Sequence, residues 1–205
     1  MATWKRIAML GGTFDPIHRG HLLIAEQAYQ SFALDRIIFM PAGIPPHKLQ
    51  LSITPAKDRL AMLKLAIKDK AHFVVSEYEL KRPGSSFTAD TLRYLLRSGL
   101  AEEIFLIIGA DSLLDLINWR ESDFLLKNGQ FIVAERPGYQ LDDIFHQQPF
   151  CCYREHIHLL SGAVIDVASS TLREAFREKR SVCALLPGDV LSYIKEHGLY
   201  REATN

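Results

Sequence analysis

Cysteine is scarce in this chain, and its pattern is wrong for cross-linking. Cys151, Cys152 and Cys183 are the only thiols in 205 residues, an odd number with no CxxC spacing. This is a poor disulfide framework, and it fits reduced structural thiols in a cytoplasmic protein. Long apolar runs are also missing. Ile104-Phe105-Leu106-Ile107-Ile108 is one of the longest, far below the ~20 residues that span a bilayer. Met1-Ala2-Thr3-Trp4 leads straight into a strand-like pattern, without a signal peptide's apolar core or cleavage site. Net charge is absent too, with 24 Lys+Arg against 24 Asp+Glu. This argues against an electrostatic, sequence-independent nucleic-acid binder, although a local basic groove is allowed. No internal repeat, low-complexity tract or linker is visible. The expectation is a soluble cytoplasmic protein with neither membrane nor nucleic acid as partner.

What is present is a core and a rhythm. Apolar residues make up 48% of the chain, enough to build one domain over residues 1–205. Short β-branched runs alternate with amphipathic helical stretches. Strands are expected at 5–10, 36–40, 72–76, 103–108, 130–134 and 164–167. Helices are expected from Gly20 or His21, after Thr54-Pro55 (N-cap and first helical position), near Thr88, around 111–117 and 120–127, near Ser170, and from Pro187 to His197 before Gly198. The 103–108 run is apolar on both faces, which suits the centre of a parallel sheet. Strand–helix alternation indicates an α/β, doubly wound, Rossmann-like sheet with helices on both faces, and a small C-terminal helical part over about 170–200. Residues 41–53 read as a loop; residues 138–160 show no readable pattern.

The densest chemistry lies where the first strand meets the first helix. Leu10-Gly11-Gly12-Thr13-Phe14-Asp15-Pro16-Ile17-His18-Arg19-Gly20-His21 joins paired glycines to a helix start. Glycines allow a close backbone approach, and the unpaired N–H groups of a helix start favour anions, so a phosphate site is expected. His18 and His21 lie about one helical turn apart and can face one ligand. A helix start disfavours imidazolium, so both rings are expected neutral, donating hydrogen bonds to phosphate oxygens. A zinc pair competes with this reading, but no third ligand stands at a supporting spacing. Near the other end, Val167-Ala168-Ser169-Ser170-Thr171-Leu172-Arg173 places hydroxyls at a helix start and an arginine one turn on. Ser170 or Thr171 could be a plain N-cap, and Thr171 with Glu174 fits a capping box. Arg173 suits a leaving pyrophosphate only if the two helix starts face each other.

The 11–21 stretch resembles the signature of the HxGH nucleotidyltransferases, and 167–173 resembles their I-S-S-T-x-x-R motif. Ala168 stands in place of that motif's first serine and Ser170 in place of its threonine. More narrowly, the chain resembles bacterial nicotinate-nucleotide adenylyltransferases. Pro45-Pro46-His47-Lys48, Asp58-Arg59-Leu60, Ser86-Phe87-Thr88-Ala89-Asp90-Thr91-Leu92, Gly109-Ala110-Asp111, Trp119, Arg136-Pro137-Gly138 and Pro187-Gly188-Asp189 carry this likeness.

The resemblance implies adenylyl transfer from ATP to nicotinate mononucleotide in NAD biosynthesis, with magnesium carried on the ATP phosphates. It implies that His18 and His21 act on the ATP phosphates, with Arg173 as the third catalytic residue. Gly11, Gly12, Thr13 and Phe14 would line the AMP site through their backbone, while Ser169, Ser170 and Arg173 would approach adenosine or the triphosphate. Thr88 would receive the nicotinate carboxylate, Trp119 would stack on the pyridine ring and Asp111 would bind ribose. Lys48 and Arg136 would contact phosphate. No protein-held metal is expected, and a homo-oligomer is allowed. A sibling transferase using nicotinamide mononucleotide or phosphopantetheine, and a non-catalytic nucleotide-binding module, are the alternatives.

Overall fold

A computed structural model describes residues 4–45, 53–135, 142–162 and 165–201. Its strands are β1 (Trp4–Gly12), β2 (Arg36–Pro41), β3 (Phe73–Val75), β4 (Ala101–Gly109), β5 (Gln130–Ala134) and β6 (Ile157–Leu160). They form one sheet in the order β3-β2-β1-β4-β5-β6, with every neighbouring pair parallel. The chain winds outward from β1 to β3, then returns to place β4 on the other side of β1. The direction of winding reverses between β1 and β4, and ligands of open α/β sheets bind at the carboxyl ends of such a pair. Those ends are Gly12 and Gly109.

Alternation of side chains builds the two layers. Ala8, Leu10, Ile37, Phe39, Phe105 and Ile107 point to one face, while Ile7, Met9, Ile38, Met40, Ile104 and Leu106 point to the other. The first face is covered by α1 (Arg19–Ser31), α2 (Ala56–Ile67), and α7 (Ser169–Arg177) with α8 (Gly188–Glu196). The second is covered by α4 (Thr88–Ser98), α5 (Ala110–Asp115) and α6 (Ser122–Asn128), the short α3 (Tyr78–Lys81) lying before α4. This is the expected doubly wound α/β arrangement. No described helix is long and apolar enough to cross a membrane.

Several expectations need correction. Gly11 and Gly12 are the last residues of β1, paired with Met40 and Pro41, and neither has positive φ. The turn follows them, and Phe14 takes the left-handed conformation there, at φ 49°. Thr54 does not cap α2. Pro55 occupies the N-cap position without a side-chain hydrogen bond, and the backbone of Thr54 is tied elsewhere, its N–H to Asp15 and its carbonyl to Arg59. Of the expected strand at 164–167, Val164 lies outside the described residues and the rest is not a strand. Residues 165–168 make no strand pairing, and the sixth strand is β6, inside the stretch that lacked a readable pattern. That stretch also holds 3₁₀ turns at Asp142–His146 and Phe150–His156. Finally, α7 begins at Ser169 with Ala168 as N-cap, so neither Ser170 nor Thr171 caps it and no capping box forms.

Candidate active site at the carboxyl ends of the central strands

The residues from His18 onward form α1, and His18 itself is the N-cap. A histidine cap is unusual, and here it is reciprocal. Nδ1 of His18 accepts the His21 N–H at 3.3 Å, and Nδ1 of His21 accepts the His18 N–H at 3.3 Å. It is the capping box of a Ser/Thr-x-x-Glu start, built from two imidazoles. A ring nitrogen that accepts carries no proton, so each imidazole keeps its hydrogen on Nε2 as a donor. The rings stack at 3.6 Å between centroids with 23° between planes. Phe14 supports the edge of His21 from below, at 5.1 Å and 75°, and is itself buried. Two Nε2–H donors thus sit side by side above a helix start. Only hydrogen sits on Gly20 at the base of this pair: a Cβ there would meet Val167 Cγ1 at 3.0 Å and His18 Nδ1 at 3.1 Å.

That same contact brings the second motif to the first. Ser169 Oγ donates to the Pro16 carbonyl at 2.9 Å, and Arg173 Nη1 donates to the Asp15 carbonyl at 2.7 Å. The start of α7 therefore faces the start of α1 across the 13–18 turn, the arrangement on which a phosphate role for Arg173 depends. Ser170 is exposed beside them. Gly12 has room only for hydrogen because the Phe14 ring lies 3.1 Å from where its Cβ would be, and Gly11 is exposed.

The second half of the site lies along the neighbouring strand ends. Ala42 N–H donates to the Gly12 carbonyl at 2.9 Å, Gly43 N–H to Ser86 Oγ at 3.0 Å, and Ser86 N–H to the Ile44 carbonyl at 2.9 Å. This ladder seats the start of α4 beside the end of β2, with Thr88 as its first helical residue. Thr91 Oγ1 donates to the buried Glu79 carboxylate at 2.5 Å, and burial pushes that carboxyl upward. Asp111 is exposed and folds back over Gly109, leaving no space for a Cβ there. Trp119 is half-buried, with Nε1–H tethered to Asp115 at 3.1 Å. Thr88, beside the end of β2, and Asp111, after the end of β4, thus share the carboxyl edge of the sheet with the histidines, while Trp119 packs against the core of the second face. Lys48 and Arg136 lie outside the described residues.

Sequence reasoning passed over the residues beneath the turn. Asp15 and Arg59 are buried, at 3% and 2% exposure, and Tyr200 reaches Asp15 from beyond α8 with its hydroxyl at 2.7 Å. Asp15 and Arg59 stand inside quoted motifs, but a charged residue in a motif does not announce that it faces inward. Among the described residues, no three His, Cys, Asp or Glu side chains converge as a metal site.

Comparison with known proteins agrees with this geometry. The cytidylyltransferase-like family model matches residues 9–184. A relative from Roseiflexus sp. (strain RS-1), named "Probable nicotinate-nucleotide adenylyltransferase", is 42% identical over 195 residues, covering 95% of this chain and 98% of its own. One of the same name from Desulfitobacterium hafniense (strain DSM 10664 / DCB-2) is 39% identical over 199 residues, covering 96% of each. In fold, the chain matches Plasmodium falciparum nicotinic acid mononucleotide adenylyltransferase complexed with APC, with a TM-score of 0.76 at 18% identity, over 96% of this chain and 97% of that one. With the family model spanning most of the chain and full-length relatives near 40% identity, this protein belongs to the cytidylyltransferase-like family and, within it, to the nicotinate-nucleotide adenylyltransferases.

Proposed function

We propose that this chain transfers the adenylyl group of ATP to nicotinate mononucleotide, giving nicotinate adenine dinucleotide and pyrophosphate for NAD biosynthesis in the cytoplasm. The observation that carries the reading is the reciprocal His18–His21 cap, which holds two Nε2–H donors over the end of β1. In the step itself, a phosphate oxygen of the mononucleotide attacks the α-phosphorus of ATP. The new P–O bond forms as the bond to the bridging oxygen breaks, and pyrophosphate leaves with that electron pair. The nucleophile is already anionic, so neither a general base nor a covalent enzyme intermediate is needed. Catalysis reduces to positioning and charge stabilisation.

His18 and His21 donate to the phosphates as charge moves toward the leaving group, His21 nearest the α-phosphate. Arg173 adds a fixed positive charge from the facing helix. The backbone of Gly11, Gly12, Thr13 and Phe14 lines the AMP site, with Ser169 and Ser170 at its edge. The first N–H groups of α4, at Thr88 and its neighbour, take the nicotinate carboxylate, because a helix start leaves them without intrahelical acceptors. Trp119 stacks on the pyridine ring, Asp111 binds the ribose, and Lys48 and Arg136 contact phosphate. Magnesium carried on the ATP phosphates would supply charge screening there. Residues 1–205 act as one nucleotidyltransferase domain with the segment of about 170–200 packed on it, and a homo-oligomer is allowed.

The test is pyrophosphate release from ATP with nicotinate mononucleotide, nicotinamide mononucleotide or phosphopantetheine as separate acceptors. Strong preference for the first in kcat/KM is expected. Equal use of the two mononucleotides would remove the role of Thr88, and release with phosphopantetheine alone, or with none, would overturn the reading.

A further inference from the structure

The turn at residues 13–16 has no regular secondary structure, yet its base is tied to three other parts of the fold. One Asp15 carboxylate oxygen accepts the Thr54 N–H at 3.2 Å, and the other accepts the Tyr200 hydroxyl at 2.7 Å. The Asp15 carbonyl receives Arg173. Arg59 places its guanidinium on three backbone carbonyls, those of Thr13 at 2.8 Å, Thr54 at 3.0 Å and Gly43 at 3.4 Å. Tyr200 follows the end of α8 in a left-handed conformation, at φ 64°, which a side-chain-bearing residue adopts only under constraint. Its ring lies 5.7 Å from that of Phe176 on α7. Burial and the nearby Asp15 charge hold its phenol far above the ordinary tyrosine range, so it stays a donor.

We propose that Tyr200 is a positioning residue for nucleotidyl transfer, acting through Asp15 on the turn that carries His18, His21 and the Arg173 contact. Asp15 is the node: its side chain faces the C-terminal turn while its carbonyl faces Arg173, and His18 follows after buried Pro16 and Ile17. Removing the Tyr200 hydroxyl leaves the carboxylate with the Thr54 N–H but without its tie to the C-terminal turn, which loosens the 13–16 turn and shifts the rings without touching any substrate. An interaction expressed only in the arrangement of the transition state lowers kcat and leaves KM nearly unchanged. A displacement well under 1 Å at the reacting groups corresponds to about a tenfold loss, since roughly 1 Å costs about a hundredfold. Tyr193 supplies the contrast. Its hydroxyl also ties the C-terminal part to α2, through Asp58 at 2.9 Å, but at a carboxylate that does not contact the turn.

The proposal rests on the adenylyl-transfer reading, and wild-type pyrophosphate release from ATP and nicotinate mononucleotide is the control for that reading. With the wild type active, Tyr200→Phe should lose about tenfold in kcat, with KM for both substrates within about threefold. Tyr193→Phe should lower the melting temperature while keeping kcat. Combining Tyr200→Phe with Asp15→Asn should cost no more than the worse single change, as coupled neighbours do. Wild-type kcat in Tyr200→Phe, an equal loss in Tyr193→Phe, or a loss explained by the unfolded fraction would overturn the positioning role. If Asp15→Asn does not fold, the two tyrosine variants decide the matter alone. An inactive wild type defeats the functional reading itself.

Discussion

Gly20→Ala is the smallest change that should separate catalysis from folding in this protein. Gly20 sits in the first turn of α1, where a Cβ would stand 3.0 Å from Val167 Cγ1 and 3.1 Å from His18 Nδ1. Relaxed contacts between such atoms need about 3.5–4.0 Å, so the neighbours must yield by roughly half an ångström. Val167 is β-branched and stiff at χ1. His18 has little slack either, since its ring is stacked on His21 at 3.6 Å and its Nδ1 already accepts an N–H at 3.3 Å. For stability the effects oppose each other. Alanine gains about 1 kcal/mol over glycine in helix propensity, and overpacking costs about 1–3 kcal/mol, leaving about 0–2 kcal/mol of destabilisation. Catalysis has no such compensation. A half-ångström shift of His18 that breaks the reciprocal cap should lower kcat about tenfold, by the same scale on which 1 Å costs about a hundredfold. Thermal melts and steady-state pyrophosphate release, measured on the same preparation, separate the two effects. A kcat within twofold of wild type, with a lowered melting temperature, would refute the role assigned to the His18 ring position.

Trp119→Ala should raise KM for the mononucleotide and spare ATP, by an amount matching ring stacking of ~1–3 kcal/mol. An effect confined to ATP in initial-rate kinetics would count against the stacking role. Glu79→Gln should stabilise the fold at neutral and alkaline pH. Burial raises the folded-state pKa of Glu79, so its contribution is fully present below the unfolded value and is lost as pH rises through the folded one. The neutral amide still accepts from Thr91, so melting curves should show a gain at pH 8 that shrinks toward pH 4. A gain larger at pH 4 than at pH 8 contradicts the sign.

Much of this architecture was legible because β1, β2, β4 and β5 are apolar runs buried on both faces, and no helix competes for them. β6 was not. Ile157-His158-Leu159-Leu160 is four residues long at a sheet edge, and His158 breaks its apolar pattern while bonding to Gln130 across the sheet. Val164-Ile165-Asp166-Val167 looks more like a strand, yet Val167 packs over Gly20 instead. Tertiary contact overrode local propensity there. The histidine pair was visible by its spacing, but not the reciprocal cap, because histidine is a rare N-cap and its tautomer depends on the partner of each Nδ1. Thr54 read as a cap by its chemistry, but the cap position falls at Pro55, and Thr54's backbone is bonded to Asp15 and Arg59, whose burial no local pattern encodes. Tyr200 lies 185 residues from Asp15, a contact only the fold can make.

The central claim is that the α1 start grips the triphosphate through two Nε2–H donors. A crystal structure with a non-hydrolysable ATP analogue tests it most directly. The account predicts phosphate oxygens within hydrogen-bonding distance of Nε2 on both His18 and His21, with Arg173 turned toward the same group. A triphosphate bound elsewhere, with both rings directed away from it, would contradict the account.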